Sequence, residues 1–546
     1  MTDRPASGFD RRTLIALLLA FVAMQGWMMM FGRTPPTDGD TDAPVAAAVV
    51  PTAAPSAPVA PVTAPSRDIP RTMCHVSGVV ETDGGYLTSV DLEDWKGDFA
   101  AWPIWRWVFE KATLQGPVSW SPYHLDASAQ RVISKEGRLL GLGAGSFSEP
   151  APRVEVLEET PTKLVTRGVT ASGVEVWRTL EVRPDCLVTV DARWRNVGAT
   201  AVDAPVWLSM HDRPQKADRA QLVSHPWAMV DGSADTWTSI TEPDEVPGPV
   251  QWFGFADQYF GTFLLPDDPE TAGTLWMTAI GLGDAALLGE HLVVAKRLEP
   301  GQEIHKTYRL YFGPKDYTQL QAIDPNLGNA VQLGWFAFFG GPLLWLLKLY
   351  HGWLGNWGLA IILLTFTMKS AFFPLTHFSM RSGARMAAIQ PLLAELKEKH
   401  ANEPEELNRK TIALFRDQGV NPVGGCLPMI LQMPVWIALY NVLQTSVQLY
   451  HTKFLYLEDL SSPDPYAVLP LIAMGLMLLQ QRMIPMGNMD PAQQRMMKLM
   501  PLIFGVLFFT FPSGLVVYMC VNTTLTMLQQ AWFKAVFKVA PMGAIV

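Results

Sequence analysis

The sequence predicts an α+β membrane protein, in which a polytopic α-helical core of six transmembrane helices carries an all-β periplasmic domain and a cytoplasmic helical hairpin. Of the 546 residues, 49% are hydrophobic and only 17% are charged. Several apolar runs reach the length of about 20 residues that a membrane-spanning helix needs. Between the first two runs, apolar and polar residues alternate as they do in half-buried β-strands.

The first two segments are predicted to be an N-terminal transmembrane anchor, residues 1–33, and a periplasmic linker, residues 34–67. Arg11 and Arg12 precede an apolar run that is longer than the core of a cleaved signal peptide, and these charges favour a cytoplasmic N-terminus. The linker is rich in proline and alanine, a composition that forms an extended tether and not a packed core.

Residues 68–315 are predicted to form a large antiparallel β-sandwich. Runs in which apolar and polar residues alternate lie on both sides of the turn residues 171–173, which predicts a hairpin. Pro300-Gly301 predicts a second hairpin, between residues 292–298 and 303–312. We interpret residues 210–212, Met-His-Asp, as solvated surface. No GxSxG, HExxH or Walker motif occurs, and the four cysteines lack metal-ligand spacing, so we expect no enzyme, cofactor or metal site. Cys74 and Cys186 could pair if this domain is exported, but we do not expect this disulfide.

The second part of the chain is predicted to be helical. An aromatic-rich segment, 332–350, predicts an interfacial helix, transmembrane helix 2 follows at 357–378, and helices 3 to 6 occupy 423–533 before a tail at 534–546. The individual predicted spans are Trp357–Phe378, Val423–Leu449, Tyr466–Ile484, Met496–Phe511 and Leu515–Phe533. Together with the anchor they number six, so both termini are expected on the same side of the membrane.

Charge distribution predicts which side that is. From residue 331 onward there are 15 Lys and Arg against 10 Asp and Glu, whereas the preceding part has 27 against 41. Basic residues concentrate in 379–420, which has two helical segments with apolar stripes and is therefore expected to be a cytoplasmic hairpin. The sequence thus predicts a multi-pass membrane protein with cytoplasmic termini, and no basic stripe suggests nucleic-acid binding.

Lys369 is the full charge inside the span 357–378, roughly 18 Å along the helix from Trp357. A lysine at the centre of a lipid-exposed helix costs about 2.5–3.5 kcal/mol, and such residues usually face a protein interior or a wet cavity. The predicted spans contain no carboxylate to pair with it. The uncharged polar residues expected to converge around Lys369 are Thr365, Gln432, Gln480 and Asn522. The alternative is that Lys369 extends along the helix to the interface.

Three motifs in the second part of the chain carry a resemblance to a known family. They are Asn421-Pro422-Val423-Gly424-Gly425-Cys426-Leu427-Pro428 followed by Gln432-Met433-Pro434, then Asp490-Pro491, and finally Phe511-Pro512-Ser513-Gly514-Leu515. Together they resemble the signature of the YidC family of membrane protein insertases. This resemblance implies a Gram-negative type of protein, whose periplasmic domain is a β-supersandwich, and a function as insertase and chaperone for integral inner-membrane proteins.

The resemblance also implies roles for individual residues. Lys369 occupies a position where the family usually has arginine, in a hydrophilic groove that attracts acidic or polar tails of incoming proteins, called clients here. Met433 and Trp436 match client-contacting positions. Tyr518 and Met519 also match client-contacting positions, where the family often has two consecutive tyrosines, so the chain departs from the family pattern at Met519.

The partners implied by the resemblance are nascent and newly made membrane proteins, membrane lipids and the Sec translocon, with ribosome and signal recognition particle components at the hairpin. The residues suggest two other functions as alternatives. A secondary transporter could use Lys369 as an anion counter-charge, but would need inverted repeats and paired broken helices, which the sequence lacks. An exported β-domain enzyme on a membrane anchor would leave the later spans unexplained.

Overall fold

The computed structural model describes most of residues 68–537. The gaps within this range are 74–75, 97–98, 102–122, 126–128, 132–137, 148, 150, 186, 213–223, 238–239, 241, 281–286, 334–336, 401–402, 420–426 and 484–490. The predicted anchor, the linker, both cysteines of the first half and most of the motif at 421–428 therefore lie outside the described residues.

The N-terminal part of the described chain is a β domain. Its strands are β1 (Asp68–Met73), β2 (Val76–Glu81), β3 (Leu87–Lys96), β4 (Phe99–Ala101), β5 (Tyr123–Leu125), β6 (Ala129–Arg131), β7 (Arg138–Ala144), β8 (Val154–Glu159), β9 (Lys163–Val169), β10 (Val174–Val182), β11 (Val188–Asn196), β12 (Val206–Asp212), β13 (His225–Val230), β14 (Ser233–Thr236), β15 (Asp244–Val246), β16 (Val250–Ala256), β17 (Phe260–Pro266), β18 (Thr274–Ile280), β19 (Leu287–Ala295) and β20 (Glu303–Pro314).

Two large antiparallel sheets pack face to face. The first has the order β1-β2-β3-β7-β12-β19-β18-β15, with β6 beside β3, and the second has the order β14-β13-β16-β17-β20-β11-β10-β9-β8. Alternation in the sequence explains the strands: along β9 and β11, every second side chain is buried. Trp194, Phe253 and Tyr308 are among the fully buried side chains of the core. The predicted antiparallel sandwich is confirmed.

The two predicted hairpins have different outcomes. Residues 170–173 join β9 to β10 as expected, and Gly173 has the left-handed φ of 79° that favours glycine in tight turns. The prediction of a hairpin at Pro300-Gly301 is wrong. Strand β19 pairs with β12 and β18 in the first sheet, whereas β20 pairs with β11 and β17 in the second. The turn therefore carries the chain from one sheet to the other.

The interpretation of residues 210–212 as solvated surface is also wrong. All three are nearly completely buried, because β12 is a central strand with both faces covered. His211 Nε2 lies 3.1 Å from Nε2 of His291 on β19. Burial lowers the pKa of His211 to about 4, so this imidazole is neutral at physiological pH. The pair is part of the packing of the domain.

Glu290 on β19 predicts a pH dependence of stability. It is fully buried, and burial raises its pKa well above the ordinary value of 4.5, while the backbone N–H groups of Gly254 and Trp227 offset part of this rise. Because the fold keeps a proton that the unfolded chain releases, Glu290 favours the fold below its ordinary pKa, and this contribution is lost as pH rises.

We therefore expect Glu290→Gln to flatten the decrease in thermal midpoint of the full chain between about pH 5 and pH 8. The control is Glu270→Gln, which removes an exposed carboxylate from the same domain. Parallel pH curves for wild type and Glu290→Gln would show that Glu290 does not contribute to the pH dependence.

Helices form the rest of the described chain. They are α1 (Tyr317–Ile323), α2 (Ala337–Leu354), α3 (Trp357–Ala371), α4 (Phe373–Lys399), α5 (Pro404–Asp417), α6 (Leu427–Thr445), α7 (Val468–Met483), α8 (Pro491–Leu507) and α9 (Ser513–Phe537). Helix α9 contacts α3, α6 and α7, and α2 packs on α3 and α6. Helices α4 and α5 contact each other and occupy the segment predicted as a hairpin.

The prediction of one continuous helix over 357–378 is wrong. Helix α3 ends at Ala371, and α4 begins at Phe373 with a bend of 60°. The cause is Pro374, which lacks an N–H donor and disfavours helical geometry in the residue before it. Among the described helices, none alone combines the length and apolarity of a membrane span, whereas the bent pair Trp357–Ala371 and Phe373–Met386 does so together.

Asp316 joins the β domain to the helices. Its side chain accepts hydrogen bonds from the backbone N–H groups of Thr318 and Gln319, which caps α1. The same carboxylate forms an ion pair with Lys348 Nζ on α2 at 2.8 Å and accepts a hydrogen bond from Gln448, just after α6. One half-buried carboxylate therefore fixes three helical segments next to the last strand of the domain.

Candidate functional site

Lys369 lies in the last turn of α3, just before the bend. Its Nζ donates a hydrogen bond to Thr526 Oγ1 on α9 over 2.8 Å, and Thr526 Oγ1 in turn donates to the carbonyl oxygen of Asn522 over 2.7 Å. Within the described part of the chain, no carboxylate forms an ion pair with Lys369. Its ammonium is therefore held toward the helix bundle by a hydroxyl and has no counter-charge among the described residues.

A cavity between α3, α6 and α9 surrounds this lysine. Its lining residues are Thr365, Met368, Lys369, Phe372, Val435, Trp436, Leu439, Tyr518 and Asn522. The structure thus brings together five residues that the sequence proposed for one site, namely Lys369, Thr365, Trp436, Tyr518 and Asn522. Polar groups and large apolar side chains share the lining, so the cavity offers one positive charge within a largely apolar wall.

Other predicted site residues lie elsewhere. The side chain of Met433 on α6 is 54% exposed and is not part of the cavity lining. Met519 is half-buried and packs against the apolar core of the bundle, and Gln480 on α7 is half-buried outside the cavity lining. Gln432 belongs to the backbone of α6, but its side chain lies outside the described structure.

Thr526 is a residue of the site that sequence reasoning missed. It follows Asn522 by four residues, so both lie on one face of α9. One turn further along, the side-chain amide oxygens of Gln529 and Gln530 are buried, and no described residue forms a hydrogen bond with them. Helical spacing from Asn522 would have identified this polar stripe. Unpaired buried amide oxygens are costly, and bound water is the usual way in which such groups are satisfied.

The loop between α6 and α7 is held together by a buried carboxylate and is joined to the start of α9. The carboxylate of Asp459, which is 1% exposed, accepts hydrogen bonds from His451 N at 3.0 Å, from Ser461 N at 2.8 Å and from the hydroxyls of Ser461 and Ser462. Ser513, the first residue of α9, donates to the carbonyl of Ser462 through its hydroxyl over 2.6 Å. These bonds attach the loop firmly to the start of α9.

Two family models match the chain. The model of the 60Kd inner membrane protein matches residues 349–540, which contain the cavity, and the model of the YidC periplasmic domain matches residues 133–346. A solved structure described as an active YidC insertase with the first transmembrane domain resolved aligns with 95% of this chain and 98% of its own, at 15% identity and a TM-score of 0.36. A score of that size supports no detailed comparison.

Curated relatives are similar over different lengths. The membrane protein insertase YidC of Geobacter sulfurreducens is 44% identical over 285 residues, which is 52% of this chain and 53% of that relative. The membrane protein insertase YidC of Geobacter metallireducens is 32% identical over 550 residues, which is 96% of this chain and 98% of that relative. Because this similarity extends over nearly the whole of both proteins, the chain belongs to the YidC family of membrane protein insertases.

Proposed function

We propose that this insertase receives client proteins of the inner membrane in a hydrophilic groove around Lys369. The observation that carries the proposal is the hydrogen bond from Lys369 to Thr526. It holds an ammonium group, which no described carboxylate pairs with, inside a cavity between three helices. Such a charge attracts an acidic or polar tail that must cross the membrane. The apolar part of the client then moves along the apolar wall, which includes Trp436, and enters the lipid.

The topology proposed for this mechanism has six spans, cytoplasmic termini and a periplasmic β domain. Support comes from the loop charges, because the basic segment 379–420 belongs on the inside by the positive-inside rule. The bent pair α3 and α4 supplies one span, and α4 continues into the proposed cytoplasmic hairpin. The Asp459 loop then lies at the outer end of the bundle, where it closes the groove toward the periplasm.

The proposed partners follow from this arrangement. Clients and lipids contact the open side of the bundle, where large side chains such as Met433 and Phe366 are exposed. The hairpin of α4 and α5 is the proposed docking element for the ribosome and for components of the signal recognition particle pathway. The Sec translocon is the proposed partner for clients that do not insert independently.

The accessibility of introduced cysteines tests whether the cavity contains water and toward which side of the membrane it opens. In a variant without native cysteines, we expect Thr365→Cys and Asn522→Cys to react with a membrane-impermeant thiol reagent added from the cytoplasm, but not from the periplasm. The control is Phe366→Cys, which is next to Thr365 on α3 but has a side chain 56% exposed on the outside of the bundle, where we propose lipid. Equal reactivity of cysteines at positions 365, 366 and 522 would contradict the proposed groove.

A further inference from the structure

A buried arginine lies in the β domain, far along the chain from Lys369. Arg178 on β10 is 3% exposed, and its neighbours on the same face of the strand, Val176 and Leu180, are also buried between the two sheets. Its Nη1 donates a hydrogen bond of 2.8 Å to the carbonyl oxygen of Leu140 on β7, in the opposite sheet. The guanidinium group therefore lies within the sandwich core.

Most of this guanidinium group is unpaired. Its Nε and Nη2 atoms have no hydrogen-bond partner, and no carboxylate of the described chain forms an ion pair with it. Burial lowers the pKa of Arg178 to about 10, so the group keeps its charge at neutral pH. A buried charge without a counter-charge is strongly destabilising, which is why buried charges in proteins are normally paired.

The unpaired side of Arg178 faces a small cavity. The lining residues are Gly84, Gly85, Leu142, Val154, Thr166, Val176 and Arg178, and there is room for about one water-sized group. Gly85, at the turn between β2 and β3, keeps this space open. Gly85 has a φ of +64°, and a Cβ atom there would lie 3.2 Å from Arg178 Nη2. A larger residue at this position would fill the space next to the guanidinium group.

We propose that this cavity binds one small monovalent anion of halide size, held by the Nε–H and Nη2–H groups of Arg178. Water could satisfy these donors, but it would leave the buried positive charge uncompensated. A halide accepts both hydrogen bonds and neutralises the charge, and N–H bonds to a charged partner are stronger than those to a neutral one. Sulfate and larger organic anions exceed the space available.

Thermal unfolding of the full-length purified protein tests this site. Chloride is titrated against gluconate at constant ionic strength, so that only the identity of the anion changes. We expect the midpoint of thermal unfolding of the β domain to rise with chloride concentration as the site fills. The rise should be about 5–10 °C when chloride reaches 100 times its half-saturating concentration. Equilibrium dialysis of the wild type with radioactive chloride is expected to give one bound ion per chain.

Two variants separate this site from general effects of salt. Arg178→Met replaces the cation by an apolar side chain of similar length and is expected to abolish the chloride dependence. Arg153→Met removes an exposed arginine that pairs with Asp83 at the neighbouring turn, and it is expected to retain that dependence. If wild-type midpoints coincide in chloride and gluconate, or if dialysis detects no bound chloride, the cavity holds only water and the proposal is overturned.

Discussion

Replacement of Lys369 by alanine is expected to lower the insertion rate of a client with an acidic translocated tail by about 10- to 100-fold, since a hydrogen bond to a charged group contributes about 1.5–3 kcal/mol. The effect is large because no other cation lines the cavity in the described structure. Insertion would be measured by protease protection of the translocated tail in cells depleted of the native protein and supplied with the variant.

The charge explanation requires a matched client and matched variants. A client whose acidic tail residues are replaced by glutamine should insert almost equally well with wild type and Lys369→Ala. Lys369→Arg should retain most of the activity, because it keeps the positive charge. Lys534→Ala, which removes an exposed lysine from the end of α9, should behave as wild type. Equal slowing of acidic and neutral clients by Lys369→Ala would contradict a role in charge recognition.

Replacement of Asp459 by alanine is expected to cause the largest loss of stability in the helical region, about 3–5 kcal/mol. Its buried carboxylate accepts bonds from His451, Ser461 and Ser462, and its removal leaves these donors without their shared acceptor. The midpoint of thermal unfolding of the purified full chain should fall by roughly 10 °C, given about 2–4 °C for each kcal/mol.

The neighbouring residue provides the control for this prediction. Glu458 is also acidic, but its side chain is 38% exposed and it pairs with Lys453 on the surface of the loop. Glu458→Ala should change the midpoint little, because exposed ion pairs contribute only about 0–1 kcal/mol. If both alanine variants unfold at the same temperature, Asp459 does not have the stabilising role that its hydrogen bonds indicate.

Local patterns predicted much of the β domain, but not its long-range connections. The hairpin at residues 171–173 was predicted correctly, because runs of alternating apolar and polar residues and a glycine turn define it locally. Pro300-Gly301 shows the limit, since a turn signal does not determine whether the next strand joins the same sheet or the opposite one. Burial of His211 could not be predicted for the same reason: it depends on strands distant in sequence.

The candidate site was predicted through the cost of burying charge. That argument singled out Lys369, and the absence of nearby carboxylates directed attention to polar groups on other helices. Thr526 was missed, although it lies one helical turn from Asn522. The bend after Ala371 was missed because the apolar run continues through Pro374, and hydropathy alone does not register a lost backbone donor.

The loop fixed by Asp459 has a consequence for how an insertase works in an energised membrane. In the proposed orientation, the groove is open to the cytoplasm, so the transmembrane voltage falls mainly across the closed outer end. An acidic tail that reaches Lys369 has not yet crossed most of the voltage drop. Its movement outward is favoured by about 2.3 kcal/mol for each negative charge per 100 mV of membrane potential. The voltage can therefore draw the tail away from the lysine, while the closed end prevents an ion leak.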